Sequence, residues 1–134
     1  MNATPAVPTS EGPRPEGPTP ETIARAFSGH AFPEAYPYLA EDVRWILIGG
    51  PTLVGKEAAI EACEGTLQEL AHTETTFTKF RTVVGADAVV VDVVGNYWAP
   101  DQAKSIVASC DIFDFSNGLI HTITSYTTEL SDEN

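Results

Sequence analysis

At 134 residues, the chain is long enough for one domain with a real core and too short for two. A hydrophobic share of 43% argues for a folded, soluble protein rather than a disordered one. The formal charge of -12, with only seven Lys and Arg, argues against nucleic acid and anionic membrane surfaces as partners, because both require basic clusters. No basic start followed by an apolar run appears, and no stretch approaches about 20 apolar residues, so the expected location is cytoplasmic. Cys63 and Cys110 fall in predicted regular elements without metal-ligand spacing and read as free, buried thiols.

Residues 1–18, "MNATPAVPTSEGPRPEGP", hold five of the ten prolines and little that could pack, which predicts a disordered tail. A helix then starts at "TPETIARAF". Thr19 can cap it, Pro20 suits the first helical turn and Glu21 meets the positive helix end. Ile23, Ala26 and Phe27 give it an apolar face, and Gly29 stops it. A shorter helical piece spans Glu34 to Leu39, interrupted by Pro37, and Asp42–Ile48 is a β-rich strand.

"GGPTLVG" reads as a connection. From Lys56 to Ala71 comes the clearest helix, with Ile60, Cys63, Leu67 and Leu70 on one side and Glu57, Glu61, Glu64 and Glu69 on a solvated side. The rest is β: "TETTFTKFRTVV", "AVVVDVVGNYW", "KSIVASCDIFDF" and "LIHTITSYTTEL", joined by "GAD", "APDQA" and "SNG". Segregated helices followed by a meander predict an α+β fold, with three N-terminal helices covering one face of a curved antiparallel sheet. "ELSDEN" reads as an acidic, solvated end, with residues 131–134 as the tail and 19–130 as the single domain.

Three segments, "YLAEDVRW", "GGPTLVGKEAAIEA" and "CDIFDFSNGLIHTITSY", resemble the nuclear-transport-factor-two-like superfamily, and within it the SnoaL-like polyketide cyclases and ketosteroid isomerases. The resemblance covers about residues 20–130. It implies a cystatin-like cone or half-barrel, in which a bent sheet wraps a long helix around an apolar pocket. It also implies a homodimer formed through the outer face of the sheet.

The residue that carries the functional question is Asp111. Alternation along its strand puts Val107, Ser109, Asp111, Phe113 and Phe115 on one face and Ile106, Cys110, Ile112 and Asp114 on the other. Both faces are partly apolar, so alternation leaves open whether Asp111 is inward or a strand-edge carboxylate bonded to a neighbour or to water. The resemblance implies the pocket, where Asp111 matches the acid/base aspartate of the cyclases and a pocket acid of the isomerases. Burial raises a carboxyl pKa, and ketosteroid isomerase is a standard example of an acid kept neutral in this way.

The isomerase mechanism also needs a second carboxylate, whose position falls at or near Leu47, and an oxyanion tyrosine, whose position falls at Thr22. Neither residue can serve, so ketosteroid isomerisation by that route is disfavoured. A single-acid cyclase, isomerase or hydrolase acting on an apolar, polycyclic substrate fits better, and a non-catalytic binding or dimerisation module is the alternative.

Counting by twos in the last strand places His121, Ile123, Ser125 and Thr127 together, so His121 either shares Asp111's side or is exposed at the strand's start. Trp45, Leu47, Phe113 and Ile123 are the expected apolar walls, with Ser125 beside them and Trp98 at the pocket mouth. Tyr97 and Tyr126 read as pocket or core aromatics, and Tyr36 and Tyr38 as further candidate hydroxyls. His30 and His72 sit at helix ends, where exposed histidines are common.

No metal or cofactor is implied. "GPTLVGKE" (Gly50–Glu57) matches G-x-x-x-x-G-K. Glu57, however, replaces the magnesium-binding Ser or Thr, Pro51 removes a backbone donor, and no parallel βαβ unit follows.

Overall fold

The computed structural model describes residues 17–131. Most of the expected N-terminal tail (residues 1–16) and the last three residues of the acidic end lie outside the described residues.

Helix α1 (Pro20–Ser28) begins as its sequence requires: Thr19 Oγ1 accepts the Thr22 amide at 3.2 Å, and Pro20 opens the first turn. Its buried face is Ile23, Ala24, Phe27 and Ser28. At the C-terminus the His30 amide donates to the Phe27 carbonyl at 3.1 Å and the Ala31 amide to the Ala26 carbonyl at 2.8 Å. This double closure uses a residue in the left-handed conformation, and that residue is His30 (φ 72°), not Gly29 (φ -90°).

The expected second helix is replaced by two 3₁₀ turns, Phe32–Glu34 and Tyr36–Tyr38. Pro33 and Pro37 supply no amide hydrogen, so an i→i−4 ladder cannot run through them. Among the described residues there are therefore two α-helices, the other being α2 (Lys56–Leu70).

The strands are β1 (Leu39–Leu47), β2 (Thr52–Val54), β3 (Glu74–Val84), β4 (Ala88–Trp98), β5 (Ser105–Ser116) and β6 (Leu119–Leu130). They form one curved, unclosed sheet in the order β2-β1-β6-β5-β4-β3. The meander β3 to β6 is antiparallel throughout, whereas β1 joins β6 in parallel. The segment "GGPTLVG" is more than a connection, because Thr52–Val54 returns along β1 as a short antiparallel edge strand. Asn117 (φ 55°) and Gly118 (φ 80°) make the tight β5–β6 turn that an Asn-Gly pair favours.

The core lies between α1 and the inner face of the sheet. Val89, Val91 and Val93 of β4, Phe113 of β5, Ile123 of β6 and Val43 of β1 are all buried there. Phe27 is the pivot. Its ring meets Phe32, Trp45 and Phe113 edge-on, with centroids 5.0, 5.0 and 5.5 Å away. The α+β class with helices on one face of a bent sheet follows directly from this packing.

Candidate functional site

Beside that core the strand register builds a polar row across the inner face. Val91 of β4 pairs with Asp111 of β5, Asp111 with Ser125 of β6, and Ser125 with Leu47 of β1. The next row brings Val93, Ser109 and Thr127 together. The C-terminal end of α1 hangs Phe27, Ser28 and His30 over these rows. Between helix and sheet is a cavity of about 160 Å³ lined by these side chains, apart from the fully buried Val91, with Phe32, Trp45, Thr66 and Tyr97.

Asp111 is held from three elements. Ser28 Oγ donates to its Oδ2 at 2.7 Å, and Ser125 Oγ donates to its Oδ1 at 2.6 Å. Trp45 Nε1–H in turn donates to Ser125 Oγ at 2.9 Å, so the indole polarises the hydroxyl that binds the carboxylate. Burial pushes the Asp111 pKa above the ordinary carboxyl value; the hydrogen bonds from Ser125 and Ser28, and the nearby His30, pull in the other direction but do not cancel it. The result is a carboxyl more basic than a surface aspartate, with an acceptor bond already on each oxygen.

The second polar group is His30. Its Nε2 lies 3.1 Å from the Tyr97 hydroxyl, and its Nδ1 is buried without a hydrogen-bond partner. Burial lowers the His30 pKa, and the Asp111 charge only partly restores it. The Tyr97 pKa is raised, by burial first and then by Asp111, so its hydroxyl stays protonated at neutral pH.

Tyr97 reaches His30 only because position 95 is glycine. A Cβ on Gly95 would fall 2.7 Å from the Tyr97 hydroxyl oxygen and 2.9 Å from the ring.

Of the residues singled out from the sequence, Asp111, Trp45, Leu47 and Ser125 line the cavity. Phe113 and Ile123 lie within the core and have no accessible surface, so they support the cavity without lining it. Trp98 is on the opposite side of β4 from Tyr97, 38% exposed, with the Lys104 ammonium 5.4 Å from its ring centroid. The strand's alternation turns Tyr97 inward, and Trp98 therefore outward.

His121 is set apart by a bulge. Thr122 pairs with Asp114 and Ile120 with Phe115, leaving His121 as the extra residue and resetting the count by twos. His121 is half-buried and outside the cavity lining. Tyr36 donates to Glu64 at 2.6 Å and also lies outside it.

Sequence reasoning missed Ser28 and His30, and left Tyr97 between pocket and core where the structure has it lining the cavity. Two of these carried a signal. Ser28 follows Ala24 by four residues on the apolar face of α1. Tyr97 continues the series Val89, Val91, Val93 and Gly95. His30 carried none, because the position after a helix-ending glycine is ordinarily exposed.

Three larger hollows contain neither Asp111 nor His30. One of about 200 Å³ lies between the start of α1 and the β3–β4 turn. Another of about 230 Å³ lies on the outer sheet face, lined by Asp92, Cys110 and Tyr126 among others. The third, of about 670 Å³, is a groove between β2 and α2 lined by Glu41, Glu57 and Glu61 among others. Among the described residues no three His, Cys, Asp or Glu side chains cluster as a metal site, and no helix is long and apolar enough to cross a membrane.

Known structures share this architecture. An NTF2-like protein of unknown function from Cytophaga hutchinsonii is 29% identical, with a TM-score of 0.71, over 80% of this chain and 94% of that one. A candidate SnoaL-like polyketide cyclase from Jannaschia sp. CCS1 is 16% identical, with a TM-score of 0.63, over 84% of this chain and 91% of that one. A candidate ketosteroid isomerase from Kribbella flavida is 22% identical, with a TM-score of 0.60, over 84% of this chain and 79% of that one. At such identities the last two establish the fold and nothing of the chemistry.

No curated protein matches the chain. The family model of the SnoaL-like domain matches residues 21–123, which is nearly all of α1 to β6, and on that match the chain belongs to the SnoaL-like domain family.

Proposed function

We propose that this SnoaL-like protein binds a small, largely apolar molecule in the cavity between α1 and the sheet, and that Asp111 moves a proton to or from it in an isomerisation or cyclisation. The observation that carries the reading is Asp111 itself: a carboxyl with a raised pKa, oriented by Ser28 and Ser125, at the wall of an aromatic cavity. The volume narrows the ligand. About 160 Å³ is close to the roughly 150 Å³ cavity that holds benzene and well below the roughly 300–1,000 Å³ typical of drug-sized ligands. A single ring suits this space better than the polycyclic substrate expected from the sequence.

The test is hydrogen–deuterium exchange at the α-carbon of cyclohexanone in D₂O, followed by NMR. The Asp111 carboxylate takes the α-proton, the C–H electron pair forms the enolate double bond, and a deuteron returns to carbon. Wild type is expected to exceed the buffer rate, and Asp111→Asn to lose roughly 10²–10⁴-fold of the protein-catalysed rate. Exchange at the buffer rate with both proteins, each folded, refutes the catalytic reading.

One observation favours the alternative, a non-catalytic binding or dimerisation module. The bonds to Ser28 and Ser125, with the Trp45 indole behind Ser125, tie α1, β1, β5 and β6 together, which is a structural task in itself. A homodimer through the outer sheet face belongs to the same proposal. It is supported by Tyr126 at 47% and Leu130 at 41% exposure on that face, and sedimentation of wild type against Tyr126→Glu tests it.

A further inference from the structure

His30 and Tyr97 are each held by a locally unfavourable choice. A non-glycine residue in the left-handed conformation costs roughly 1–2 kcal/mol, yet the residue with φ 72° at the end of α1 is histidine. Glycine in a strand interior weakens it, yet Gly95 is what lets the Tyr97 ring fold back along β4. Both choices place Tyr97 Oη against His30 Nε2 at the cavity wall.

The hydrogen bonding of this pair has a direction. His30 Nδ1 is buried without a partner. A buried N–H without an acceptor is the costlier orphan, whereas Tyr97, half-buried at the cavity wall, can give its hydrogen to water or a ligand, so the favoured tautomer carries its hydrogen on Nε2. Nε2–H then donates to Tyr97 Oη. The tyrosine hydrogen points elsewhere, and none of the hydrogen bonds among the described residues takes it up.

The other donors at the cavity are committed or indifferent. Ser28 and Ser125 donate to Asp111, Trp45 to Ser125, and Thr66 to the Ala62 carbonyl. Ser109 and Thr127 carry hydroxyls that rotate to give or accept alike, so they do not discriminate between ligands.

We propose that Tyr97, positioned by His30, is the fixed hydrogen-bond donor of the cavity, and that the site therefore selects single-ring compounds carrying a carbonyl oxygen. This rests on the cavity being the binding site, but not on Asp111 being a catalyst. Tyr97 and Asp111 give the cavity two unlike poles, one offering a hydrogen and the other lone pairs. A ring bearing a carbonyl is recognised at the first pole and a plain hydrocarbon at neither.

The experiment is an NMR titration of wild type, Tyr97→Phe and Gly95→Ala with 2-cyclohexen-1-one, phenol and toluene. Cyclohexenone is expected to bind wild type, and to weaken about five- to tenfold in Tyr97→Phe, the loss of one hydrogen bond. A similar loss is expected in Gly95→Ala, which keeps the tyrosine but displaces it. Toluene is expected to bind all three within about twofold.

Unchanged cyclohexenone affinity in Tyr97→Phe overturns the proposal, and an equal loss for toluene assigns Tyr97 to packing alone. If toluene or phenol binds wild type and cyclohexenone does not, the proposal fails while the cavity stands. If no probe binds wild type, both fail. Independently, the ¹⁵N shifts of the His30 ring must report hydrogen on Nε2; hydrogen on Nδ1 removes the premise. The exchange assay on cyclohexanone can fail without touching any of these results.

Discussion

The two polar groups of the cavity are built on opposite plans. Around Asp111 each carboxyl oxygen has a hydroxyl donor, and one of those hydroxyls has an indole donor behind it, so the arrangement closes on itself. Around His30 the bonding is incomplete: one ring nitrogen is buried without a partner, and in the tautomer proposed above the tyrosine hydroxyl on the other has a hydrogen to spare. Burial acts on both in the same physical way and with opposite outcomes, raising the acid and lowering the base, because it disfavours whichever form is charged. A closed network stabilises the fold whether or not a ligand comes, whereas an open one has unsatisfied capacity that a ligand can use.

The contrast breaks most sharply at Ser125. Ser125→Ala strands Trp45 Nε1 and Asp111 Oδ1 together, and leaving partly buried groups unpaired costs about 1–3 kcal/mol each. The expected loss is on the order of 2–4 kcal/mol in urea denaturation. Tyr97→Phe in the same assay removes only the hydrogen bond between Tyr97 and His30 and is expected to cost about 1 kcal/mol. Equal losses for the two variants would mean that the network around Asp111 is no more closed than the other.

Much of this was legible in the sequence, and unevenly so. The helix cap at Thr19, the α2 helix and the four-strand meander follow from local signals that burial reinforces. The second helix failed because Pro33 and Pro37 together leave too few amide hydrogens, and β2 was too short to register as a strand. In the site, Asp111, Trp45, Leu47 and Ser125 could be placed from alternation and family likeness. His121 could not, because it is itself the extra residue of a bulge that resets the count, and a bulge has no reliable residue signature here. Trp98 and Tyr97 are adjacent, and choosing the wrong one inverts the face. His30 is the most instructive miss: its burial depends on the left-handed turn after α1, which the sequence would sooner assign to Gly29.

That turn supplies a smaller test. If His30 is held there for its ring and against its backbone preference, His30→Gly should be more stable than His30→Ala by about 1 kcal/mol, because both lose the ring and only glycine relieves the left-handed φ. Equal stability of the two would show that the backbone at position 30 is unstrained and that the histidine needs no special reason to be there.

The finest comparison is in pH, where the two groups should act with opposite signs. Asp111 has a folded pKa above its ordinary 3.8, so between those values the folded state holds the proton more tightly and its contribution to stability falls as pH rises. His30 has a folded pKa below its ordinary 6.5, so the unfolded chain takes up its proton first and the contribution of His30 falls as pH drops through and below 6.5.

Thermal denaturation from pH 4 to pH 8 separates them by difference. Relative to Asp111→Asn, wild type is expected to lose stability on the alkaline side of 3.8. Relative to His30→Gln, it is expected to lose stability on the acid side of 6.5. If the two difference curves slope the same way, attraction between the acid and the base outweighs desolvation at one of the two groups only; if it outweighs desolvation at both, the slopes stay opposite but exchange signs.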